Sequence, residues 1–461
     1  MFWYMDISDI KWKFSDKLST TQLPEEMRDF FLSLLTSFLE GQTGQLEWHH
    51  IQPLLKEDLL AVDNLDNSYE AFGYEALSQV AIVKLNGGLG TTMGCQGAKS
   101  AIPIHVNQTF LDVLHNQVQH LRDQYNVPIP LILLNSPYTI KDSARILSKD
   151  QAYINVVQHM FARIDATSMY PFSCADNPSQ EWYPPGHGDC LHALYWSGTL
   201  QRLKASGIRY LFVSNADNLG PLIHPKILGY MVKKNLEMLI ETTPKTLADV
   251  KGGALIRYDG RLRLLERAQV GDAYMACFED MSLFPVFNTN NIWLTCDAIE
   301  SFVSQKKKLD LIVNPKDIDS KRVYQLETAL GSAISQFDRT ASIVVNRERF
   351  LPVKKTSDLL VIKSDLIQKK QNLSTLHFES DLHLNNYPLI QLGSCFDTIQ
   401  GFNERFAHIP SLKQLKSLSI EGDVVFGPDV ILKGSVSIKV APGKQITLSH
   451  CTLENVEKVF A

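Results

Sequence analysis

"KLNGGLGTTMGCQGAKS", residues 84–100, directly follows residues 80–83, an apolar and β-branched run that predicts a buried strand. Five glycines then fall within eleven positions: Gly87, Gly88, Gly90, Gly94 and Gly97. Because glycine accepts positive φ and has no Cβ, such a loop can turn its amide groups onto a ligand at close range. The stretch therefore predicts an anion-binding loop at the end of a strand.

Short apolar runs and amphipathic segments alternate between about residues 80 and 360. Strand-like runs lie at residues 129–135, 209–220 and 236–243. Apolar residues at helical spacing mark residues 109–121 and 224–234. Alternation of this kind predicts an α/β domain with a mostly parallel mixed sheet.

The two ends of the chain differ from this middle part. Residues 22–40 carry apolar side chains at helical spacing and predict a helical N-terminal segment. Within the middle part, two alternating runs on either side of Asp259-Gly260 predict a hairpin. Residues 417–448 are short β-branched runs separated by Gly, Pro and Asp, which suits the coils of a parallel β-helix, with a small sandwich as the alternative. We predict an N-terminal helical segment over 1–75, an α/β domain over 76–375 and a β-helix-like domain over 376–461.

Composition narrows the class of protein. The 461 residues carry 45 basic and 50 acidic side chains, for a net charge of −5 without a long block of either sign, which argues against nucleic-acid binding. The run Lys306–Lys308 is expected to be a solvated loop. Seven scattered cysteines form no C-x-x-C pair, so we expect reduced thiols in the cytoplasm. No apolar run is long enough to span a bilayer, and we expect no membrane association.

Two common phosphate loops fit the glycine stretch poorly. A Walker A loop needs glycine at both ends of its first part, and Met93 and Ala98 stand at those positions. The dinucleotide pattern G-x-G-x-x-G nearly fits at Gly88 and Gly90, but the third glycine comes one residue late, at Gly94. A P-loop kinase is not expected, and a dehydrogenase is a weak alternative.

A third pattern fits. The loop closely resembles that of the UTP–glucose-1-phosphate uridylyltransferases, and further blocks similar to this family recur in order along nearly the whole chain. They are WYPPGHGD (182–189), NADNLG (215–220), TPKTLADVKGG (243–253), LLERAQV (264–270), FNTNN (287–291), QLETA (325–329) and RFLPVKKTSDLL (349–360). One departure is Ala98, where the family usually has proline, and we expect it to loosen the approach to Lys99.

The resemblance implies a Rossmann-like nucleotidyltransferase domain. It also implies that UTP and glucose 1-phosphate give UDP-glucose and pyrophosphate, with Mg²⁺ as the cofactor and no covalent enzyme intermediate. Nucleotide-binding residues by the same resemblance are Leu85, Asn86, Gly87, Gly88, Lys99, Gln158, Gly186, Asp217 and Lys354. Of these, Lys99 and Lys354 are the implied catalytic residues and Asp217 the implied metal ligand. Homo-oligomer formation through the C-terminal domain is left open.

Residues implied to bind the sugar phosphate are Gly87, Gly88, His187, Asn215, Gly253, Glu266, Asn288 and Asn290. Amides and carboxylates suit sugar hydroxyls because they donate or accept hydrogen bonds in directed pairs. Two of the residues have structural alternatives: Asp217 could cap a helix and Asn288 could fix a turn. Lys354, just before the β-rich tail, is expected to reach the α-phosphate when tail and catalytic domain close together, and Lys355 to face solvent.

Two competing functions remain at this point. A UDP-N-acetylhexosamine pyrophosphorylase uses a related glycine loop with an arginine, whereas this loop has Thr91-Thr92-Met93. The other alternative is a non-catalytic sugar-nucleotide sensor with the tail as its partner surface. Retention of both lysines, Asp217 and the sugar-binding blocks argues against the sensor.

Overall fold

The computed structural model describes residues 6–95, 97–105, 108–147, 153–246, 250–370, 375–378 and 387–460. Residues 247–249 of the family-like block at 243–253 lie outside this part. The α-helices of the described residues are α1 (Ile7–Ser19), α2 (Glu25–Leu39), α3 (Ser68–Ala76), α4 (Phe110–Tyr125), α5 (Ile140–Ile146), α6 (Cys190–Trp196), α7 (Thr199–Ala205), α8 (Pro225–Lys233), α9 (Met275–Glu279), α10 (Cys296–Ser304), α11 (Thr356–Lys363) and α12 (Ile399–Arg405).

The strands of the described residues follow in chain order. They are β1 (Ile51–Gln52), β2 (Val80–Asn86), β3 (Pro103–His105), β4 (Gln108–Thr109), β5 (Leu131–Asn135), β6 (Tyr153–Val157), β7 (Phe161–Ala162), β8 (Ile164–Asp165), β9 (Trp182–Tyr183), β10 (Tyr210–Asn215), β11 (Met238–Pro244), β12 (Ala254–Tyr258), β13 (Arg261–Leu265), β14 (Val286–Thr295), β15 (Leu311–Ile318), β16 (Lys321–Thr328), β17 (Thr340–Val344), β18 (Ile367–Lys370), β19 (Thr375–Phe378), β20 (Leu389–Leu392), β21 (Ser411–Glu421), β22 (Asp423–Phe426), β23 (Val430–Val440), β24 (Gln445–Leu448) and β25 (Cys451–Phe460).

A seven-stranded sheet forms the middle of the molecule, in the order β17-β11-β14-β10-β2-β5-β6. Only β14 runs antiparallel to its neighbours, so the sheet is mixed and mostly parallel, as predicted. Its central strands are apolar on both faces because helices cover both. Residues 80–83 are at most 2% exposed, which confirms the buried strand expected before the glycine loop.

The glycine loop does not lead directly into a helix. After β2 the chain forms two short 3-10 turns, Thr91–Met93 and Lys99–Ala101, and the next α-helix, α4, begins at Phe110. A dinucleotide-binding loop instead opens a helix whose N-terminus faces the pyrophosphate. The dehydrogenase alternative is therefore wrong.

Several smaller predictions are confirmed. The N-terminal segment forms α1 and α2, whose apolar faces pack in one buried cluster with Phe161 and Tyr183. Strands β12 and β13 form the expected hairpin, with φ of 50° at Asp259 and 80° at Gly260. Both values suit a two-residue turn with positive φ at its two central positions.

The C-terminal part is a stack of parallel strands. Strands β20, β21, β23 and β25 pair in parallel, and β22 pairs in parallel with β24. This is the predicted coil, and the sandwich alternative is wrong. Helix α12 was not predicted, because its short sequence includes Gly401 and helix propensity there is low. The Thr398 hydroxyl accepts a hydrogen bond from the Gly401 N–H and Phe402 is fully buried, so capping and packing stabilise the helix.

None of the described helices is both long and apolar enough to cross a membrane. The domain boundaries at 75/76 and 375/376 stay predictions.

Candidate active site

The carboxyl ends of β2 and β10 border a cavity of about 420 Å³. These strands are parallel neighbours, with Asn215 paired to Leu85, so their ends meet. Predicted site residues that line the cavity are Leu85, Asn86, Gly87, Gly88, Lys99, Gln158, Gly186, His187, Asn215 and Asp217. The cavity thus gathers the whole predicted nucleotide set except Lys354. Gly253, Glu266, Asn288 and Asn290 lie outside its lining.

Gln158 links the glycine loop to the loop at Gly186. Its main-chain N–H donates to the Asn135 carbonyl at 2.7 Å, and its Nε2 donates to the Gly186 carbonyl at 2.9 Å. A Cβ on Gly87 would collide with Gln158 Oε1. Glycine is therefore required at position 87 for the loop and this carboxamide to approach as closely as they do.

The loop at Gly186 and His187 closes another side of the cavity. Gly186 has a φ of 81°, and a Cβ there would lie 2.5 Å from the Thr328 carbonyl oxygen, so both conformation and space demand glycine. His187 Nδ1 accepts a hydrogen bond from the Leu330 N–H at 3.0 Å. Burial lowers the pKa of His187 to about 4, so the imidazole is neutral at pH 7. Its proton is therefore on Nε2, which can donate to an oxygen atom.

Lys99 and Asp217 pair at the mouth of the cavity. The Lys99 Nζ lies 2.5 Å from Asp217 Oδ2, and each side chain is 17% exposed. Asp217 follows β10, and the next α-helix, α8, begins only at Pro225, so the helix-cap alternative for Asp217 is wrong. A carboxylate and an ammonium group are thus available together where two parallel strands end.

A bulge in β14 carries the amides of the predicted sugar-binding set. The pairing of β14 with β11 shifts between Asn291 and Asn288, which leaves Thr289 and Asn290 as extra residues. Asn290, with a φ of 59°, donates from Nδ2 to Asn215 Oδ1 at 2.7 Å. Its Oδ1 is buried and has no hydrogen-bond partner among the described residues. Asn290 therefore joins this set to the cavity and presents a free acceptor.

Asn288 accepts a hydrogen bond from the Asn290 N–H at 2.9 Å through its side-chain oxygen. This contact supports the turn-fixing alternative for Asn288, because it holds the bulge in shape. The Asn288 N–H donates to the Gly253 carbonyl at 2.8 Å. A Cβ on Gly253 would lie 2.8 Å from Glu266 Oε2, so Asn288, Gly253 and Glu266 form one continuous group with Asn290.

The charge of Lys354 acts on Glu266 of this group and on Asp358. Burial raises the pKa of Glu266, and the Lys354 charge opposes that shift. Burial likewise raises the pKa of Asp358, and the hydrogen bonds from the Lys355 and Lys354 N–H groups, together with the charges of Lys99 and Lys354, oppose that shift. The main chain before Lys354 is already fixed to the site, because the Val353 N–H donates to the Asp217 carbonyl at 3.3 Å. The expected closure of tail and catalytic domain is therefore not needed to bring this segment to Asp217.

Comparison with known proteins decides the family. The sequence model of the family described as UTP–glucose-1-phosphate uridylyltransferase matches residues 28–433.

The chain belongs to this family.

Named relatives match over most of their length. The UTP–glucose-1-phosphate uridylyltransferase of Musa acuminata is 41% identical over 444 residues, which is 94% of each chain. The enzyme of that name from Saccharomyces cerevisiae is 40% identical over 94% of this chain and 88% of its own. Among solved structures, a UDP-glucose pyrophosphorylase from Leishmania major in complex with UDP-glucose matches with a TM-score of 0.90 at 32% identity, over 98% of this chain and 99% of that one. The nucleotidyltransferase fold of the uridylyltransferase family is thereby established for this chain.

Ala98 departs from the usual proline of the uridylyltransferase family, and the structure corrects the expected effect. Its N–H donates to Asp142 Oδ2 at 2.8 Å, a hydrogen bond that proline cannot make. Its φ of −58° is also close to that of proline. Alanine therefore ties the loop before Lys99 to α5 instead of loosening it.

Several cavity residues were missed by the sequence analysis. They are Leu89, Ser100, Leu134, Arg163, Tyr183, Pro184, Ala216, Gln325 and Glu327. Gln325 and Glu327 lie in the quoted block QLETA, so a signal for them existed. Arg163 lies in no recognised block, and its guanidinium is 5.6 Å from the Tyr183 ring centre. It adds a second cationic side chain to the wall of the cavity.

Lys84 is a buried lysine beneath the loop. It is 3% exposed and donates from Nζ to the Ser214 hydroxyl at 2.7 Å, across the register-paired strands β2 and β10. Burial lowers its pKa to about 7, and the Arg349 charge adds to this effect, whereas Asp217 and Glu241 oppose it. The side chain consequently fixes the two site-forming strands from inside.

A second buried network positions the segment that carries Lys354. Glu241 is fully buried and binds Arg349 through two hydrogen bonds of 2.9 and 2.6 Å. Asn218, next to Asp217, accepts from the Leu351 N–H at 2.8 Å and donates to the Arg349 carbonyl at 3.3 Å. These bonds hold residues 349–353 beside the end of β10.

Proposed function

We propose that this protein converts UTP and glucose 1-phosphate to UDP-glucose and pyrophosphate. A phosphate oxygen of glucose 1-phosphate attacks the α-phosphorus of UTP and forms a new P–O bond. The bond from that phosphorus to the bridging oxygen breaks, and its electron pair leaves on pyrophosphate. The single observation that carries the proposal is the cavity of about 420 Å³, where the glycine loop, the Gly186 loop and the Lys99–Asp217 pair meet.

The nucleotide side recognises UTP through Leu85, Asn86, Gly87, Gly88, Gln158 and Gly186. Gln158 suits the uracil edge, which donates one hydrogen bond and accepts two, because a carboxamide both donates and accepts. Its position supports this role, since its Oε1 lies next to Gly87 and its Nε2 contacts Gly186. Main-chain amides of the glycine loop complete the contact without side-chain interference.

Lys99, Arg163 and Lys354 neutralise the negative charge of the phosphates. In-line transfer requires alignment of two anions and neutralisation of charge on the phosphoryl oxygens, which cationic side chains supply. Lys99 exchanges Asp217 for a phosphate oxygen when UTP binds. The neutral His187 can donate from Nε2 to the sugar phosphate without adding charge.

Asp217 would hold Mg²⁺ together with phosphate oxygens. A single carboxylate fits this ion, which takes most of its other ligands from phosphates and water. The described residues contain no group of three or more His, Cys, Asp or Glu that could hold a metal ion. When bound there, the ion would supply further neutralisation of the phosphates.

The sugar is held by Asn215, Gly253, Glu266, Asn288 and Asn290. The free Oδ1 of Asn290 is the strongest support, because a buried acceptor without a partner is costly unless a ligand hydroxyl donates to it. Asn288 acts through the bulge that it fixes. Glu266 offers carboxylate oxygens to hydroxyl groups.

A substrate panel tests the reaction. Pyrophosphate release is measured with UTP and, in turn, glucose 1-phosphate, galactose 1-phosphate and N-acetylglucosamine 1-phosphate. The glucose substrate should give the highest kcat/KM. Higher turnover of N-acetylglucosamine 1-phosphate would favour the N-acetylhexosamine enzyme, and no pyrophosphate with any sugar would favour the sensor.

Metal dependence needs its own test. Excess EDTA should stop the reaction, and added Mg²⁺ should restore it. The Asp217→Asn variant keeps the size of the side chain and should need a higher Mg²⁺ concentration for half-maximal rate. Full activity in EDTA would contradict the metal role of Asp217.

Assembly and location stay predictions. Strand β25 is the last strand of its sheet, and Val459 on it is 66% exposed, which supports self-association through this edge. All seven cysteines are free, which is typical of a reducing compartment such as the cytoplasm. Mass measurement in solution tests the first prediction and cell fractionation the second.

A further inference from the structure

A second cavity, of about 470 Å³, lies on another side of the molecule. Its walls come from α2, α6 and residues 303–308, and no described residue lines both this cavity and the nucleotide cavity. The volume is in the range of small-molecule sites, 300 to about 1,000 Å³. Nothing in the proposed uridylyl transfer uses it.

Two buried polar side chains in this cavity lack hydrogen-bond partners. His192 is 7% exposed, and neither of its ring nitrogens is bonded within the described residues. The indole Nε1 of Trp196 is buried and equally without a partner in that part of the chain. Buried donors and acceptors without partners cost free energy, so sites that retain them usually supply them to a ligand or water. Together they offer two donors and one acceptor when the histidine is neutral.

The wall around these groups is aromatic. The Phe30 ring lies 4.9 Å from the His192 ring, centre to centre, and Val303 adds an aliphatic surface. Flat apolar walls with a few convergent polar groups favour a planar ring as the occupant.

Charge at the rim favours an anion. Lys306, Lys307 and Lys308 stand against Glu26 and Asp29, so three positive and two negative side chains leave one net positive charge. Lys306 and Lys308 are exposed, as expected of a solvated loop, whereas Lys307 donates to the Gln336 carbonyl at 2.8 Å. The lysine run thus also borders a cavity that contains unbonded hydrogen-bond donors.

We propose that this second cavity is a binding site for a small aromatic anion. The aromatic body lies against Phe30 and Trp196, an acceptor on its buried edge accepts a hydrogen bond from the Trp196 Nε1–H, and the anionic group faces Lys306 and Lys308. Burial lowers the pKa of His192 to about 4, so at pH 7 the imidazole is neutral and can exchange hydrogen bonds with the same edge.

Anilinonaphthalene sulfonate is the probe, because it joins aromatic rings to a sulfonate and its fluorescence rises in apolar surroundings. The full-length protein is titrated at pH 7 in saturating UTP, which keeps the dye out of the nucleotide cavity. Wild type should bind the dye in a saturable step. Trp196→Phe keeps the aromatic shape, removes the donor and should raise the dye Kd about fivefold. Ser304→Trp, placed at an exposed lining position, should fill the cavity and weaken binding more than tenfold.

Matched controls lie on α1, none of whose residues lines the cavity. Trp12 is 59% exposed, so Trp12→Phe repeats the tryptophan change, and Lys13→Glu repeats the charge change of Lys308→Glu. Both controls should bind the dye as wild type does, whereas Lys308→Glu should bind it several-fold more weakly. Equal dye affinity in wild type, Trp196→Phe and Ser304→Trp would overturn the proposal. No saturable binding by wild type would also overturn it.

Discussion

The nucleotide side and the sugar side of the site are built from different chemical groups. On the nucleotide side, glycines let main chain and side chains approach closely, as Gly87 does for Gln158 and Gly186 for Thr328. On the sugar side, amide side chains on a bulge hold one another, as Asn290 does with Asn215. The first surface is therefore sensitive to added atoms, and the second to removed ones. Lys354 is connected to both, because its charge acts on Glu266 and the Val353 N–H before it donates to the Asp217 carbonyl.

Removal of the Lys354 ammonium should have the largest effect. Lys354→Ala should lower kcat about a hundredfold, because loss of one donor to a developing phosphoryl charge costs on the order of 10² in rate. UTP affinity measured by calorimetry should change less than for Lys99→Ala. Lys355→Ala is the matched control, since this neighbouring lysine is also exposed. A normal kcat with a lowered Tm would assign Lys354 a structural role instead.

The Lys99→Ala substitution should impair only the nucleotide side of the site. Lys99→Ala should weaken UTP binding roughly tenfold to a hundredfold, because a charge-assisted contact contributes about 1.5 to 3 kcal/mol. The KM for glucose 1-phosphate should change little. Calorimetric titration with UTP measures the first effect, and wild-type UTP affinity in the variant would remove Lys99 from the site.

The Asn290→Ala substitution should impair only the sugar side of the site. Asn290→Ala removes the buried free acceptor and should raise the KM for glucose 1-phosphate about tenfold, the equivalent of about 1.4 kcal/mol, with UTP affinity unchanged. Asn288→Ala should act more weakly on KM and also lower Tm, because it loosens the bulge. Initial rates at varied concentrations of glucose 1-phosphate measure the KM of both variants. If both variants behave alike, the distinction between ligand contact and turn support is wrong.

His187, on the nucleotide side, predicts an effect of pH on stability. The pKa of His187 falls from 6.5 in the unfolded chain to about 4 in the folded protein, so between these values only the unfolded chain gains the proton. His187 alone should therefore reduce the free energy of unfolding by about 1 to 2 kcal/mol as the pH falls from 6.5 to 5. Urea unfolding of wild type and His187→Gln at both pH values measures this change in the free energy of unfolding. An equal loss in both proteins would contradict the assignment.

The Ala98→Pro substitution in the glycine loop should have the smallest effect. Ala98→Pro keeps φ but removes the hydrogen bond to Asp142, and should lower the free energy of unfolding by about 1 kcal/mol. In the Asp142→Asn background, where the acceptor is already weakened, the same change should cost less. Additive losses in the double variant would show that the two residues act independently.

The sequence predicted the local pieces of the fold well. The runs at 129–135 and 236–243 are strands β5 and β11, and the Asp259-Gly260 turn is a hairpin. Periodicity and turn residues act over a few positions and can be detected without the fold. Helix α12 was missed because its stability comes from a cap and from burial of Phe402, not from propensity.

The site divides in the same way. Lys99, Asp217 and the glycines stand in recognisable blocks, whereas Arg163 enters the cavity only because β7–β9 bring it beside Tyr183. The bond between Asp142 and Ala98 likewise joins positions 44 residues apart, so no local pattern announced it.

By itself, the sequence determined the family, the alternation of strands and helices, and the identity of the groups that carry charge. Only the tertiary structure decided their partners: Lys99 with Asp217, Asn290 with Asn215, and the buried Lys84 with Ser214. The physical reason is that local backbone preference depends on neighbours in the chain. Hydrogen bonds, burial and pKa depend on neighbours in space, which strand order and the β14 bulge define.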